Sequence, residues 1–206
     1  MLKIWGRISS INVRKAVFAA QLLELPFERI DAGKEFGIVT TEAFLAKNPN
    51  AMVPLLEDGE VTLWESNVIV RYLAAKYGKG SFYPQALPER FDAERWMDWQ
   101  QTALNNASRD AFIQLIRVEP AQRNQALIDA SIAATEPLMA MLDQHLSRSA
   151  FMAGNAIGMA DIPIATEIHR WRGLPLERPH RPHLERWYSG LMALPAARGA
   201  LDVPLS

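Results

Sequence analysis

The sequence predicts a two-domain protein in which an α/β domain precedes an all-helical domain, and three observations predict it. Short apolar runs of strand type alternate with helical spacing up to about Gly78. A stretch rich in glycine and proline follows, from Gly78 to Glu89. Beyond it, the periodic segments have helical spacing. We therefore expect one domain over residues 1–78, a linker over 79–88 and a second domain over 89–206.

The first domain is expected to follow the order β-α-β-α-β-β-α. Its opening strand is apolar and leads through a turn-like stretch into a helix that begins near Ile11 and stops before Pro26. Further on, Asp58-Gly59 separates two apolar runs, which is typical of a tight hairpin turn. The expected strands are Leu2–Trp5, Phe27–Ile30, Leu55–Glu57 and Val61–Trp64, with a short helix over Thr41–Ala46 and a last helix that ends at Gly78.

The second domain is expected to contain only helices. The predicted segments are Arg90–Arg117, Ala121–Leu146, Ala160–Trp171 and His183–Leu194. Pro137 lies inside the second of them and predicts a kink or a break there, because proline lacks an N–H and its ring collides with the preceding turn.

Composition excludes several classes of function. The chain has 206 residues, a net charge of -1 and no cysteine. This charge gives no basic footprint for nucleic acid, and no apolar run approaches the roughly 18 residues that a membrane span needs. The N-terminus also lacks the pattern of a signal peptide, so we expect a cytoplasmic protein without a nucleic-acid or membrane partner. Without cysteine, thiol chemistry requires a sulfur that arrives with a ligand.

A metal centre is not expected. His180 and His183 have a spacing that two metal ligands can have. The same segment carries several arginines, among them Arg178 and Arg181, and their charge repels a cation.

Two predicted helix starts carry serines. Ser9 and Ser10 precede the first helix, and Glu65-Ser66 stands where the fourth strand meets the third helix. Serine is a favoured N-cap residue, so each of these serines has a structural interpretation. The N-terminus of a helix also presents unpaired N–H groups that favour an anion, so each position is compatible with ligand binding as well.

Five segments give the chain a resemblance that spans nearly its whole length. In order they are SSINVRK, NPNAMVPLLEDG, LWESNVIVRYLA, RWMDWQ and GMADIPIA. Their order and spacing resemble those of the glutathione transferase family, and most closely its serine-type, bacterial-style members. The resemblance implies a thioredoxin-like N-terminal domain that binds glutathione, a helical domain that supplies most of the second-substrate pocket, and a homodimer.

The resemblance also implies an activity. A glutathione transferase binds glutathione as a co-substrate, without a metal, stabilises its thiolate and conjugates it to a small apolar electrophile. Two alternatives stay open. One is a glutathione-dependent isomerase or a peroxide or disulfide reductase, and the other is a non-catalytic module that keeps the fold for binding.

The residue that donates a hydrogen bond to the glutathione sulfur has three candidates. Alignment of the family's serine-rich loop with the helix start favours Ser9 as donor and Ser10 as capping residue, and a shift by one residue reverses them. Asn12 is the third candidate, because some relatives use an amide in this loop.

The glutathione-binding residues are likewise implied by resemblance. The family's cis-proline corresponds to Pro54, and it leaves the backbone of Val53 free to pair with the cysteinyl part of glutathione; an ordinary strand-entry proline is the alternative. Ser66 and Glu65 correspond to the residues that hold the γ-glutamyl group. Met52 stands where close relatives often carry lysine, which leaves the glycine carboxylate to Lys34, to a backbone group or to nothing.

The start of the helical domain is expected to face the thiol across a cleft. Trp99, Leu104 and Phe112 are its candidate second-substrate residues, whereas Trp96 is expected to serve packing. Asp161 is expected to be a structural residue in the interior, with Gly158 at the N-cap position where the family usually has serine or threonine.

Overall fold

The computed structural model describes residues 1–206, except for the side chain of Ser81. Its first part contains four strands and three α-helices in the predicted order, which confirms the fold class of this part. In chain order these elements are β1 (Leu2–Trp5), α1 (Ile11–Leu22), β2 (Phe27–Ile30), α2 (Glu42–Leu45), β3 (Leu55–Asp58), β4 (Val61–Trp64) and α3 (Ser66–Tyr77).

The four strands form one sheet in the order β2-β1-β3-β4. Strand β1 runs parallel to β2 and antiparallel to β3, which in turn is antiparallel to β4. The parallel pair requires a crossover, and α1 provides it. Helix α1 is buried along Val13–Ala20, because it lies between the sheet and the helical part of the chain.

The hairpin between β3 and β4 turns one residue later than predicted. Asp58 pairs with Val61, so the two turn residues are Gly59 and Glu60 rather than Asp58 and Gly59. Gly59 has a φ of 64°, a conformation that glycine adopts without steric cost. The Asp58 carboxylate instead accepts hydrogen bonds from the hydroxyls of Tyr72 and Tyr77, and thereby attaches the hairpin to α3.

The second part of the chain is helical, as predicted. After a 3₁₀ turn at Gly80–Phe82, it contains α4 (Leu87–Trp99), α5 (Asn105–Phe112), α6 (Gln125–Leu146), α7 (Asp161–Arg172) and α8 (Pro182–Met192), and further 3₁₀ turns at Pro120–Gln122 and Pro195–Ala197. Helix α4 therefore begins three residues before the predicted Arg90, inside the expected linker. The predicted segment Ala121–Leu146 begins later, at Gln125, with Asn124 as its cap.

Two π-helical turns interrupt the first long helical segment. One spans Gln100–Leu104 between α4 and α5, and the other spans Ile113–Arg117 after α5. The prediction of a kink or break at Pro137 is wrong in its stronger form, because α6 continues through this proline without a break. The interruptions of the helical segments therefore lie at the π turns, while Pro137 does not end α6.

Asp161 begins α7 and is fully buried, in line with its predicted structural role. Its carboxylate accepts hydrogen bonds from the backbone N–H groups of Met152 and Gly158 at 2.9 Å and from the indole of Trp187 at 2.8 Å. Burial raises the pKa of Asp161 to about 6, although these donors oppose the shift. The acid of the expected capping box thus remains, while Gly158 supplies only its backbone.

None of the helices in the described part of the chain is both long enough and apolar enough to cross a bilayer.

Candidate functional site

A cleft of about 530 Å³ lies between the N-terminal end of α1, the loop after β2 and the helical part. Residues from both parts of the chain line it, and they are Arg7, Ser9, Ser10, Ile11, Asn12, Arg14, Gly33, Lys34, Val39, Ala51, Met52, Val53, Asn105, Arg109, Phe112, Ile113, Arg117, Thr166, Arg170, Leu205 and Ser206. The three candidate thiol donors therefore share one cavity.

Ser9 and Ser10 differ in their surroundings. Ser10 is the N-cap residue of α1 and is buried; its N–H donates to the carbonyl of Arg7, and its own carbonyl accepts from the N–H of Arg14. Its hydroxyl does not cap the helix. Ser9 is only half-buried at the cleft, and within the described part of the chain its hydroxyl has no hydrogen-bond partner. Of the two hydroxyls, that of Ser9 is therefore the more accessible from the cleft.

Asn12 connects the start of α1 with the start of α3. Its Oδ1 accepts a hydrogen bond from the hydroxyl of Ser66 at 3.3 Å. Ser66 is buried, and Glu65 before it is exposed and has a φ of 72°, an uncommon conformation for a residue with a side chain. Gln101 approaches Glu65 from the helical part at 3.5 Å. Glu65 and Ser66 thus adjoin the cleft through Asn12 without lining it themselves.

The opposite wall holds the segment before β3. Lys34, Met52 and Val53 line the cleft, and Met52 is 64% exposed. The peptide bond between Val53 and Pro54 is cis, which is the isomer that the family resemblance implies. Pro54 itself is buried behind this wall.

The helical part brings only one of its three predicted pocket residues to the cleft. Phe112 lines it, whereas Leu104 is fully buried in the core and Trp99 packs edge-on against Trp96, with their ring centroids 5.4 Å apart. Leu104 lies inside the π turn at Gln100–Leu104 and Trp99 lies directly before that turn, and both side chains pack in the interior rather than at the cleft.

Six cationic side chains line the cleft, although the whole chain carries a net charge of -1. They are Arg7, Arg14, Lys34, Arg109, Arg117 and Arg170, and the lining residues include no aspartate or glutamate. Partial burial, and then the positive charges of Arg7 and two further arginines, lower the pKa of Arg117 below its ordinary value. The cleft is therefore a region of strong positive potential.

Sequence reasoning did not find this charge. Arg7 is far from Arg109 and Arg117 in the chain, and each of the three has the appearance of an ordinary solvated residue when considered alone. The only local signal is that Arg109 precedes Phe112 by three residues, which places both on one side of α5.

A buried polar network lies below the cleft and joins both parts of the chain. The ammonium group of Lys15 on α1 donates to Oδ1 of Asn67 at 3.1 Å and to Oε1 of Gln100 at 2.8 Å. Gln100 in turn donates to Glu167 at 2.9 Å, and Glu167 pairs with Arg170. Burial lowers the pKa of Lys15 to about 7. Through Arg170, this network reaches the floor of the cleft.

Known proteins resemble this chain along its whole length. Residues 1–75 match the family model described as "Glutathione S-transferase, N-terminal domain", and residues 106–195 match the corresponding C-terminal domain model. Glutathione S-transferase GstB from Escherichia coli (strain K12) is 44% identical over 208 residues, with full coverage of both chains.

One solved structure is similar to this chain in both sequence and fold. The theta class glutathione S-transferase from Xanthomonas axonopodis pv. citri, in the form with glutathione bound, superposes with a TM-score of 0.95 at 40% identity, over 100% of this chain and 99% of that one. The apo form of that protein superposes with a TM-score of 0.85 at 36% identity, over 100% and 98% of the two chains.

Proposed function

Because the chain belongs to the glutathione S-transferase family, we propose that it binds glutathione in the cleft, stabilises the thiolate of the tripeptide and transfers it to a small electrophile. One observation carries this proposal: the cleft unites the hydroxyl and amide donors at the start of α1 with Lys34 and Val53 on one wall and with Phe112 on the other.

The chemistry requires a hydrogen bond to sulfur. A free thiol has a pKa of about 8.5 and is mostly protonated at neutral pH, so lowering its pKa by about two units makes it mostly ionised. This shift corresponds to about 2.7 kcal/mol. A hydrogen bond to a charged group contributes about 1.5–3 kcal/mol, so a single hydroxyl donor is sufficient in magnitude.

We assign the donor role to Ser9, because its hydroxyl is free and half-exposed at the cleft. The N-terminal end of α1 and the surrounding cations add to the stabilisation of an anionic sulfur. The serine acts as a donor and not as a nucleophile. With the thiolate held in place, positioning against the electrophile supplies most of the remaining rate enhancement.

The remaining roles follow from the walls of the cleft. Lys34 is assigned to the glycine carboxylate of glutathione, because Met52 has no charge and lies at the rim. The backbone of Val53, which precedes the cis-proline, is assigned to the cysteinyl part. Ser66 and Glu65 are assigned to the γ-glutamyl group, for which the hydrogen bond from Ser66 to Asn12 provides support from the start of α1.

The assembly we propose is a cytoplasmic homodimer, in which residues 1–78 form the glutathione-binding domain and 89–206 the helical domain. Exposed apolar side chains on neighbouring elements support a dimer, since an apolar surface of this kind favours protein contact. Trp64, Val68, Leu87 and Phe91 are between 39% and 60% exposed. Sedimentation at several concentrations measures the mass, and a monomer at micromolar concentration would contradict this part of the proposal.

The experiment that tests the function has two steps. First, glutathione is titrated while the fluorescence of the six tryptophans is followed. Second, the conjugation of glutathione to a chlorodinitrobenzene is measured in the same samples. Saturable binding together with turnover supports the proposal. Binding without turnover indicates a non-catalytic module, and absence of binding contradicts the proposal.

A further inference from the structure

The cations of the cleft outnumber those that glutathione and the fold require. Arg14 is buried and donates to three backbone carbonyls, those of Ile8, Val203 and Pro204, so it serves the fold. Arg170 is buried and pairs with Glu167. If Lys34 binds the glycine carboxylate, three arginines remain without an assigned role, and these are Arg7, Arg109 and Arg117.

These three arginines have few partners among the described residues. Neither Arg7 nor Arg109 forms a side-chain hydrogen bond or an ion pair in that part of the chain, and Nε of Arg7 is buried without a partner. Among the described residues, the guanidinium of Arg117 donates one hydrogen bond, of 3.4 Å, to the main-chain oxygen of Ser206, the last residue of the given sequence. Glu35 is near enough to Arg7 for their charges to attract, but no described aspartate or glutamate lines the cleft between the arginines, and an anion bound among them reduces their mutual repulsion.

Local packing holds two of the arginines in place. The guanidinium of Arg117 lies 4.7 Å from the ring centroid of Phe112, a cation–π contact. Arg7 lies against Gly33, where a Cβ atom would approach its Nη1 to 2.8 Å, so glycine is the residue that makes room for the guanidinium. Gly33 also has a φ of 82°, which favours glycine. Arg117 is therefore held against Phe112, and Arg7 lies in the space that Gly33 leaves open.

Their position indicates which substrate they serve. Arg109 and Arg117 belong to α5 and the π turn after it, and they flank Phe112 and Ile113 on the helical side of the cleft. They share this side with Phe112, which we assign to the second substrate, and Arg117 is also near enough to Lys34 for the two charges to repel each other. Guanidinium groups suit carboxylates, because their planar donors form paired hydrogen bonds with both oxygens.

We propose that the second substrate is a small electrophile that itself bears a carboxylate, and that Arg117 and Arg109, with Arg7 opposite, bind this carboxylate beside Phe112. The inference rests on the proposed transferase function and narrows its substrate class. In the reaction, the thiolate sulfur forms a bond with the electrophilic carbon, and the bond from that carbon to a halide breaks. The halide leaves with the electron pair, and the thiol proton has already passed to solvent.

The test uses a matched pair of substrates, a para-chlorodinitrobenzoate and the amide of the same acid. Both have the same ring and leaving group, and they differ in charge. Each kcat/KM is divided by the rate constant of the uncatalysed reaction with glutathione. We expect the carboxylate to be preferred by about tenfold to a hundredfold, the range for a hydrogen bond to a charged group.

Two variants and one control show whether the preference for the carboxylate substrate arises from the arginines of the cleft. Arg117→Gln and Arg109→Gln are each expected to reduce the ratio of carboxylate to amide, because both residues are exposed arginines at the cleft. Arg148→Gln, which changes an exposed arginine outside this cleft, is expected to retain the ratio. The fluorescence titration with glutathione shows whether each variant still has a folded cleft.

The outcomes separate the inference from the function on which it rests. Equal use of the acid and the amide, or a preference that persists in both variants, overturns the inference and leaves the transferase function intact. If neither compound nor an uncharged chlorodinitrobenzene is converted, both the function and the inference are wrong. A preference that the cleft variants lose and the control keeps supports the inference.

Discussion

In the cleft, Arg7, Arg109 and Arg117 form no ion pair with an aspartate or glutamate among the described residues. In the layer below, Lys15 and Arg170 are enclosed by amides, a hydroxyl and Glu167. Both regions concentrate positive charge, and they lie within one protein of nearly zero net charge. The difference is that the buried cations have their partners within the chain, whereas these three arginines of the cleft form no ion pair with an aspartate or glutamate that the structure describes.

This contrast distinguishes cations that serve the fold from cations that are available to a ligand. A buried cation without a partner is costly, so the lower layer must be satisfied for the chain to fold. A cation at an open cleft is partly solvated and tolerates the lack of a partner, so its arrangement can serve a ligand. Substitutions in the lower layer should therefore change stability, and substitutions in the cleft should change activity.

The strongest effect is expected at Glu167. Its side chain is fully buried and accepts hydrogen bonds from Gln100, Ser108 and Arg170. The change Glu167→Gln leaves Arg170 buried without its anion, and we expect the free energy of unfolding to fall by about 3–5 kcal/mol. Denaturant unfolding measures this change. Glu177→Gln, on an exposed residue, is the control and should change stability by at most ~0.5 kcal/mol.

The next effect concerns the thiol donor on the cleft side. We expect Ser9→Ala to reduce turnover by roughly 10- to 100-fold, since a hydrogen bond to a charged group is lost, while stability stays within about 0.5 kcal/mol. The ultraviolet absorbance of the bound thiolate, measured against pH, reports the change directly. Ser10→Ala is the matched variant, and if it removes the thiolate signal while Ser9→Ala does not, the two assignments are reversed.

The pH dependence of the free energy of unfolding tests the buried network through Lys15. Burial lowers the pKa of Lys15 from 10.5 to about 7 in the folded protein. Between these values the unfolded chain binds more protons, so this residue makes stability rise with pH, by at most ~1.4 kcal/mol per pH unit.

We expect Lys15→Met to flatten the rise above pH 7, and Lys79→Met, on an exposed lysine, to leave it unchanged. Unfolding midpoints across the alkaline range measure both. An unchanged slope in Lys15→Met would show that another group causes the rise.

The smallest effect is expected for the stability of Arg117→Gln. The side chain is exposed and surrounded by like charges, so its replacement should alter the free energy of unfolding by no more than about 0.5 kcal/mol in either direction. Thermal unfolding is sufficient to measure it. A loss well above that figure would mean that Arg117 supports the fold, and the contrast between the two regions would fail at this residue.

Local patterns predicted most of the fold, because alternation, helical spacing and turn residues act over short stretches of chain. The strands Leu2–Trp5, Phe27–Ile30 and Val61–Trp64 have the predicted bounds. The hairpin turn was displaced by one residue, because the side chain of Asp58 is used by α3 and the residue itself stays in the ladder. That contact is not visible in the local sequence.

Some residues of the cleft could be predicted because they belong to motifs. Ser9, Asn12 and Val53 line the cleft together, and each belongs to a quoted segment. The arginines of the cleft and the burial of Lys15 depend on tertiary contacts between distant segments. A lysine in a helix is seldom buried, so the spacing of Lys15 gave no reason to expect Asn67 and Gln100 around it.

The π turn at Ile113–Arg117 gives backbone winding a direct influence on specificity. Such a turn holds one residue more than an α-helical turn, and it sets the direction in which the Arg117 side chain leaves the helix axis. Regular α-helical winding of the same five residues would point the arginine in a different direction about that axis, while every type of side chain in the segment stayed the same. Among relatives, a change of winding in this segment could therefore alter substrate preference without any change at the arginine itself.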